Sequence, residues 1–221
     1  SYIESILKID EDTSDEMEGK TVKALVAPHI DLEVGKKIYA KAYRAIQNSR
    51  PHKVLLLGTG HGLQESYLSL TIKDFLTPWG RIRTDREWVE RLKKNICPDV
   101  AAPHDLDHRN EHALEFQLLF LRHLFGPSFT LVPILCGSFH RVLREVSRPG
   151  EIPGMDGFLS ALKHFIEEEN ESLLIVAGVD FSHIGPKFGH RRTASSLLPE
   201  AEEHDRSLLE KICEGDVRGF W

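Results

Sequence analysis

The sequence predicts an α/β domain with a mostly parallel central sheet and helices on both faces. Three observations predict it. Short all-apolar runs, such as residues 53–57 and 173–177, read as strands buried on both faces. Other stretches carry apolar residues at a helical period. The two kinds alternate along the chain, as strand–helix–strand units do.

The elements follow in order. Residues 1–20 read as a flexible acidic lead-in, and 21–221 as a single domain. Residues 21–27 read as a first strand that runs into Pro28-His29-Ile30-Asp31. Residues 34–48 place Val34, Ile38, Ala42, Ala45 and Ile46 at helical spacing. The strand at 53–57 ends in the glycine-rich turn Gly58-Thr59-Gly60-His61-Gly62. Residues 67–72 alternate as a strand does, and Pro78-Trp79-Gly80 is a turn. Residues 85–96 read as a helix capped by Thr84. An irregular stretch at 101–110 leads to a helix at 111–125, with Leu114, Leu118, Leu121 and Phe125 on one stripe. Gly126-Pro127 ends it. Residues 129–135 form another strand, 148–157 a Pro- and Gly-rich loop, and 158–168 a helix. The strand at 173–177 runs into Gly178-Val179-Asp180-Phe181-Ser182-His183. Residues 193–212 read as mostly helical.

Bulk properties narrow the function classes. A chain of 221 residues suits one large domain. The formal net charge of -6 argues against a nucleic-acid surface, which needs a basic face. Cys97, Cys136 and Cys213 are odd in number and widely spaced. That disfavours a disulfide framework and predicts a reducing, cytoplasmic setting. The apolar runs are too short to span a bilayer, and the acidic N-terminal segment has the wrong charge for a signal peptide. The chain opens at Ser1 without Met and stops in a helix-like stretch, so it reads as truncated at its C-terminus.

Histidine placement carries the functional signal. Three apolar strands run into polar groups: one into His29 and Asp31, one into His61, one into Asp180, Ser182 and His183. Ligands of open α/β sheets sit outside the carboxyl ends of the strands. If these strands are parallel neighbours, His29, His61 and His183 meet at one edge. His108 and His112 are four apart and would share a helix face, and Glu111 and Glu115 repeat the same spacing. Neutral imidazole moves protons near pH 7. A nucleotide reading of Gly58-x-Gly60-x-Gly62 is weak, because the spacing fits neither phosphate-binding motif. Most other histidines, such as His52, His123 and His204, read as surface residues.

Six motifs in order carry a resemblance. They are Ala27-Pro28-His29, the Gly-x-Gly-His61 turn, Thr77-Pro78-Trp79-Gly80 with Asp85, Glu111-His112-Ala113-Leu114-Glu115, Val132-Pro133-Ile134-Leu135 and Asp180-Phe181-Ser182-His183. Together they resemble the Memo family, which is similar in fold to class III extradiol dioxygenases. The resemblance implies a cleft at one sheet edge. Two histidines and a carboxylate hold non-haem Fe(II) in the dioxygenase relatives, and another histidine is the acid–base group. By position, His29 and His61 match the metal ligands, and His112 with Glu111 the catalytic pair. Animal Memo proteins place a cysteine where this chain has Ser182, a poorer ligand for soft or borderline metals. That leaves open weak binding through Ser182, ligation by His183 or Asp180 in its place, or no metal. Arg109 stands where an acidic residue is frequent, which favours an anionic substrate. Asp31, Arg109, Glu115 and Asp180 are the expected substrate-binding residues.

Two classes of function follow. In the first, the chain is a dioxygenase-like enzyme with a divalent metal, Fe(II) ahead of Zn or Cu, acting on a small electron-rich substrate. In the second, the same cleft binds a peptide or small anion without turnover. A metal-dependent hydrolase ranks third. The sequence assigns no oligomeric state.

Overall fold

The structure is a computed structural model that describes residues 1–9 and 21–221. It is α/β: a seven-stranded, mostly parallel sheet with helices on both faces.

The chain begins with a helix, α1 (Tyr2–Leu7), where a flexible lead-in was expected. A capping box between Ser1 and Glu4 closes its first turn. Ile3 and Ile6 lie in the core, which holds so short a helix in place. The rest of the expected lead-in, residues 10–20, lies outside the described residues.

Strand β1 (Ala24–Ala27) follows. In α2 (Leu32–Arg44) the period is as expected but the buried face is not. Val34 and Ile38 face solvent, while Tyr39, Ala40 and Tyr43 are fully buried. Both tyrosine rings stack on Phe120, and their hydroxyls donate to the Ile30 carbonyl and to Gln117 Oε1. Large rings whose polar tips find partners outcompete smaller aliphatics for the interior.

Strand β2 (Lys53–Thr59) lies at the centre of the sheet. A short β3 (Leu68–Leu70) precedes a hairpin of β4 (Phe75–Thr77) and β5 (Gly80–Thr84), which flank the expected turn at Pro78-Trp79-Gly80. Helix α3 (Arg86–Lys93) is capped by Asp85 and not Thr84, the Asp85 carboxylate accepting the Trp88 amide. Then come α4 (His112–Phe125), β6 (Thr130–Cys136), α5 (Met155–Glu168), β7 (Leu173–Gly178), α6 (Ala194–Glu214) and α7 (Val217–Phe220).

The strand order is β1-β7-β2-β6-β5-β4, and β3 pairs with the upper part of β6. Strands β1, β7, β2, β6 and β5 run parallel; β3 and β4 pair antiparallel. The two-residue period of a strand divides the core into two layers. Val54 and Leu56 of β2 join Ile3, Tyr43, Leu114 and Phe120 on one face. Leu55 joins Trp88, Leu92, Phe158 and Phe165 on the other. The parallel register aligns the ends of β1, β7 and β2: Ala27 pairs with Gly178, and Gly178 with Gly58. Their following turns therefore share one edge of the sheet.

Candidate metal centre

Helix α4 begins directly over that edge, and two glycines make this possible. Gly58 and Gly178 are register partners on neighbouring strands. A Cβ on Gly178 would sit 2.6 Å from the Ala113 carbonyl oxygen, and one on Gly58 would sit 2.6 Å from Leu114 Cδ2. The first turn of α4 thus rests on bare strand backbone. That placement brings His112, the first residue of α4, to the ends of β1 and β2.

Three imidazoles meet there. His29, His61 and His112 each offer a ring nitrogen, all within 4.8 Å of one another. Ring centroids are 5.1 Å apart for His29 and His61, 5.5 Å for His29 and His112, and 4.8 Å for His61 and His112. His29 is only 3% exposed; the side chains of the other two are nearly half exposed. The trio is therefore open on one side.

Acceptors fix the direction of two rings. His29 Nδ1 lies 3.1 Å from the Gly178 carbonyl, and His61 Nδ1 lies 2.9 Å from Glu111 Oε1. A carbonyl or carboxylate oxygen can only accept, so each Nδ1 carries the proton. In a neutral ring so oriented Nε2 carries the lone pair, the arrangement of metal-bound histidines. Burial lowers the His29 pKa, against the opposing pull of Asp180 and the Gly178 carbonyl, which favours the neutral, ligating form.

Glu111 organises the cluster from beneath. It is buried and caps α4, accepting the Ala113 amide at 3.1 Å. It also accepts the His61 amide at 2.9 Å, and its Oε1 lies 3.5 Å from His112 Nδ1. Burial alone would raise its pKa, but hydrogen bonds from Ala113 and His61 outweigh burial and hold it below the ordinary carboxyl value. Glu111 thus faces the imidazoles as an anion and a positioning group. Asp180 flanks the other side. Its Oδ1 accepts the His29 amide at 2.9 Å, and its Oδ2 lies 3.5 Å from His29 Nε2. Asp180 thus adds a second carboxylate, and negative charge, beside the trio.

The donor set fits a divalent metal: three imidazole nitrogens, an adjacent carboxylate, and outer partners that set the tautomers.

Other expected residues lie elsewhere. Ser182 Oγ donates to Asp205 Oδ1 at 2.6 Å and so ties its loop to α6. His183 bonds through Nδ1 to the Phe181 carbonyl, and its ring meets Phe188. The third member of the cluster is His112, not His183. Asp31 caps α2, accepting the Glu33 and Val34 amides. His108 does not share a helix face with His112. It sits in a 3-10 turn (Leu106–Asn110), buried beside Phe75. Arg109 and Glu115 line a neighbouring cavity. Burial raises the Glu115 pKa despite the opposing field of His112.

One positioning residue escaped the sequence reading. Gln117 is fully buried; its Nε2 donates to the Pro28 carbonyl at 2.8 Å, and its Oε1 accepts Tyr43 Oη at 2.5 Å. It braces the turn that carries His29. The signal was present, because a polar amide between Phe116 and Leu118 interrupts an apolar helix.

A mostly parallel α/β sheet with a histidine cluster at its carboxyl edge defines an open-sheet protein with a candidate site where such folds bind their ligands. Comparison with known sequences is more specific. The sequence profile described as "Memo-like protein" matches residues 2–221, so the chain belongs to the Memo family. A MEMO1 family protein of Aquifex aeolicus is 33% identical over 187 residues, covering 82% of this chain and 45% of that protein. One from Methanopyrus kandleri is 29% identical over 207 residues, covering 90% and 63%. One from Thermococcus onnurineus is 26% identical over 230 residues, covering 100% and 74%. The chain thus spans about half the length of the first of these relatives and under two thirds of the second.

Proposed function

We propose that His29, His61 and His112 hold a divalent metal, Fe(II) in the first instance, and that the protein is a dioxygenase-like oxidoreductase. The observation that carries this reading is the convergence of three imidazoles with two of their Nδ1 atoms committed to acceptors. When bound, such a metal supplies a Lewis-acid centre with open positions where a small electron-rich substrate and O₂ can meet. The chain's own residues do the rest. Glu111 keeps the His61 ring turned toward the site. The Gly178 carbonyl does the same for His29. Asp180 holds the backbone of His29 in place through Oδ1. Three free thiols support a reducing, cytoplasmic setting.

The test is oxygen uptake by the Fe(II)-loaded protein with a panel of catechols. The reading predicts consumption of one O₂ per substrate, lost in His61→Ala. Iron that binds without any oxygen uptake across the panel would refute the oxygenase assignment.

A second reading has an observation of its own. The trio is all imidazole, whereas oxygenase iron more often sits on two histidines and a carboxylate. Three imidazole nitrogens match the donor set of hydrolytic zinc, which lowers the pKa of its bound water to about 7. Zinc retained at one equivalent, with p-nitrophenyl ester cleavage and no oxygen uptake, would favour a hydrolase.

A further inference from the structure

A cavity of about 680 Å³ lies between the β4–β5 hairpin, the turn at Leu106–Asn110 and the outer face of α4. Its volume falls within the range of about 300–1,000 Å³ usual for small-molecule sites. Phe75, Leu118, Leu119 and Phe116 give it apolar walls. Phe116 also meets His112 edge-on at 5.4 Å, so the cavity adjoins the histidine trio across one helical turn.

Most charges around this cavity are already matched. Lys73 Nζ pairs with Asp105 at 2.9 Å, and Asp74 accepts the Thr84 amide and faces Arg81. Three polar side chains are not. His108 is 7% exposed, and neither of its buried ring nitrogens has a hydrogen-bond partner. Burial lowers the His108 pKa against the opposing pull of the Ser69 backbone, so the buried ring is held toward its neutral form. Buried polar atoms left in this state are rare and point to a missing partner. Arg109 and Glu115 are exposed, and neither side chain has an ion pair or hydrogen bond among the described residues, Glu115 feeling only the field of His112 and Glu111. What remains in the walls is one cation, one anion and one imidazole around an apolar space.

That set is the complement of a ligand with both charges and an apolar body. We propose that this cavity binds a small apolar zwitterion, of the class of aromatic and branched amino acids and their short peptides. Arg109 receives the carboxylate, Glu115 the ammonium, and His108 a hydrogen bond from or to the ligand. Phe75, Phe116 and Leu119 enclose the side chain. The proposal stands apart from any metal at the trio.

The test is calorimetric titration of the protein with three probes of one shape: L-phenylalanine, 2-phenylethylamine with only the cation, and 3-phenylpropionate with only the anion. Phenylalanine should bind at least tenfold more tightly than either. Arg109→Ala should reduce phenylalanine to the affinity of the amine, and Glu115→Gln to that of the acid. Leu119→Trp should abolish binding by filling the space. Both charge variants alter exposed side chains and will fold, so they decide the matter even if the tryptophan variant does not. His29→Ala should leave phenylalanine binding unchanged, which separates this site from the metal reading. The dipeptide Phe-Leu assigns the source: tighter binding than phenylalanine points to peptide ends, weaker binding to a free amino acid. Absence of heat with all probes, equal affinity for all three, or unchanged binding in both charge variants would overturn the proposal.

Discussion

Glu111 does three things with one carboxylate. It caps α4 through the Ala113 amide, holds the His61 backbone, and sets the His61 tautomer. Glutamine can keep one acceptor but not the charge or all three bonds. Glu111→Gln should therefore weaken metal binding by about 10–100-fold, the usual effect of losing an outer partner of a ligating histidine. A competition titration with a chromophoric chelator measures it; unchanged affinity would show that Glu111 serves only the helix. The cysteines give an independent check of the packing. Burial pushes the Cys136 thiol up to about 11, while Cys213 is exposed on α6. Thiolate is the reactive form, so iodoacetamide at pH 8 should label Cys213 well before Cys136. At this scale much of the site was legible. His29 and His61 stand at strand ends, where position alone marks them. His112 was legible as a histidine beside a glutamate, but not as the third member of the trio. That role depends on where α4 lands, which no local pattern states.

The seat of α4 is set by Gly58 and Gly178, at matching heights on adjacent strands. Gly178→Ala would drive a methyl group into backbone at Ala113, which has no rotamer to yield. A loss of about 1–3 kcal/mol is expected from such overpacking, together with loss of metal uptake as His112 shifts. Gly150→Ala, whose added methyl would meet only Leu159 at 3.7 Å, should be near neutral. Urea unfolding of the two variants beside the wild type decides the point; equal midpoints would contradict the seating argument. Long apolar or strongly periodic elements were legible for physical reasons. Strands β2 and β7 are buried on both faces, and α4 carries a full stripe. The β4–β5 hairpin was not legible. It is short, and Arg81 and Arg83 give β5 a polar outer face. Helix α1 was missed because only Ile3 and Ile6 mark its inner side, amid polar residues that resemble a tail. In α2 the period was right, but the buried face belonged to tyrosines whose acceptors lie elsewhere in the chain.

Across the whole molecule, two core layers clamp the sheet and leave its carboxyl edge for the site. One polar cluster ties the second layer together. Lys53 at the start of β2 bonds Glu169 at the end of α5 and pairs with Asp85 at the cap of α3; Trp88 Nε1 donates to Glu169 at 2.6 Å. Burial would raise the Glu169 pKa, but the bonds from Lys53 and Trp88 lower it on balance. A carboxylate with a depressed folded pKa stabilises the fold above its unfolded value near 4.5. That stability is lost as pH falls through the folded value. Glu169→Gln should therefore be less stable than the wild type at pH 7, and the gap should narrow below pH 4. Urea titrations at the two pH values test it, and a gap that stays constant would remove Glu169 from the account.

The central claim is that the metal centre is the trio of His29, His61 and His112. Equilibrium binding of Zn(II) and Fe(II) to the wild type, His112→Ala and Ser182→Ala tests it most directly. The account predicts one metal per chain in the wild type, the same in Ser182→Ala, and a loss of at least tenfold in affinity in His112→Ala. Retention of metal by His112→Ala with loss in Ser182→Ala would contradict it, and would move the centre to the loop after β7.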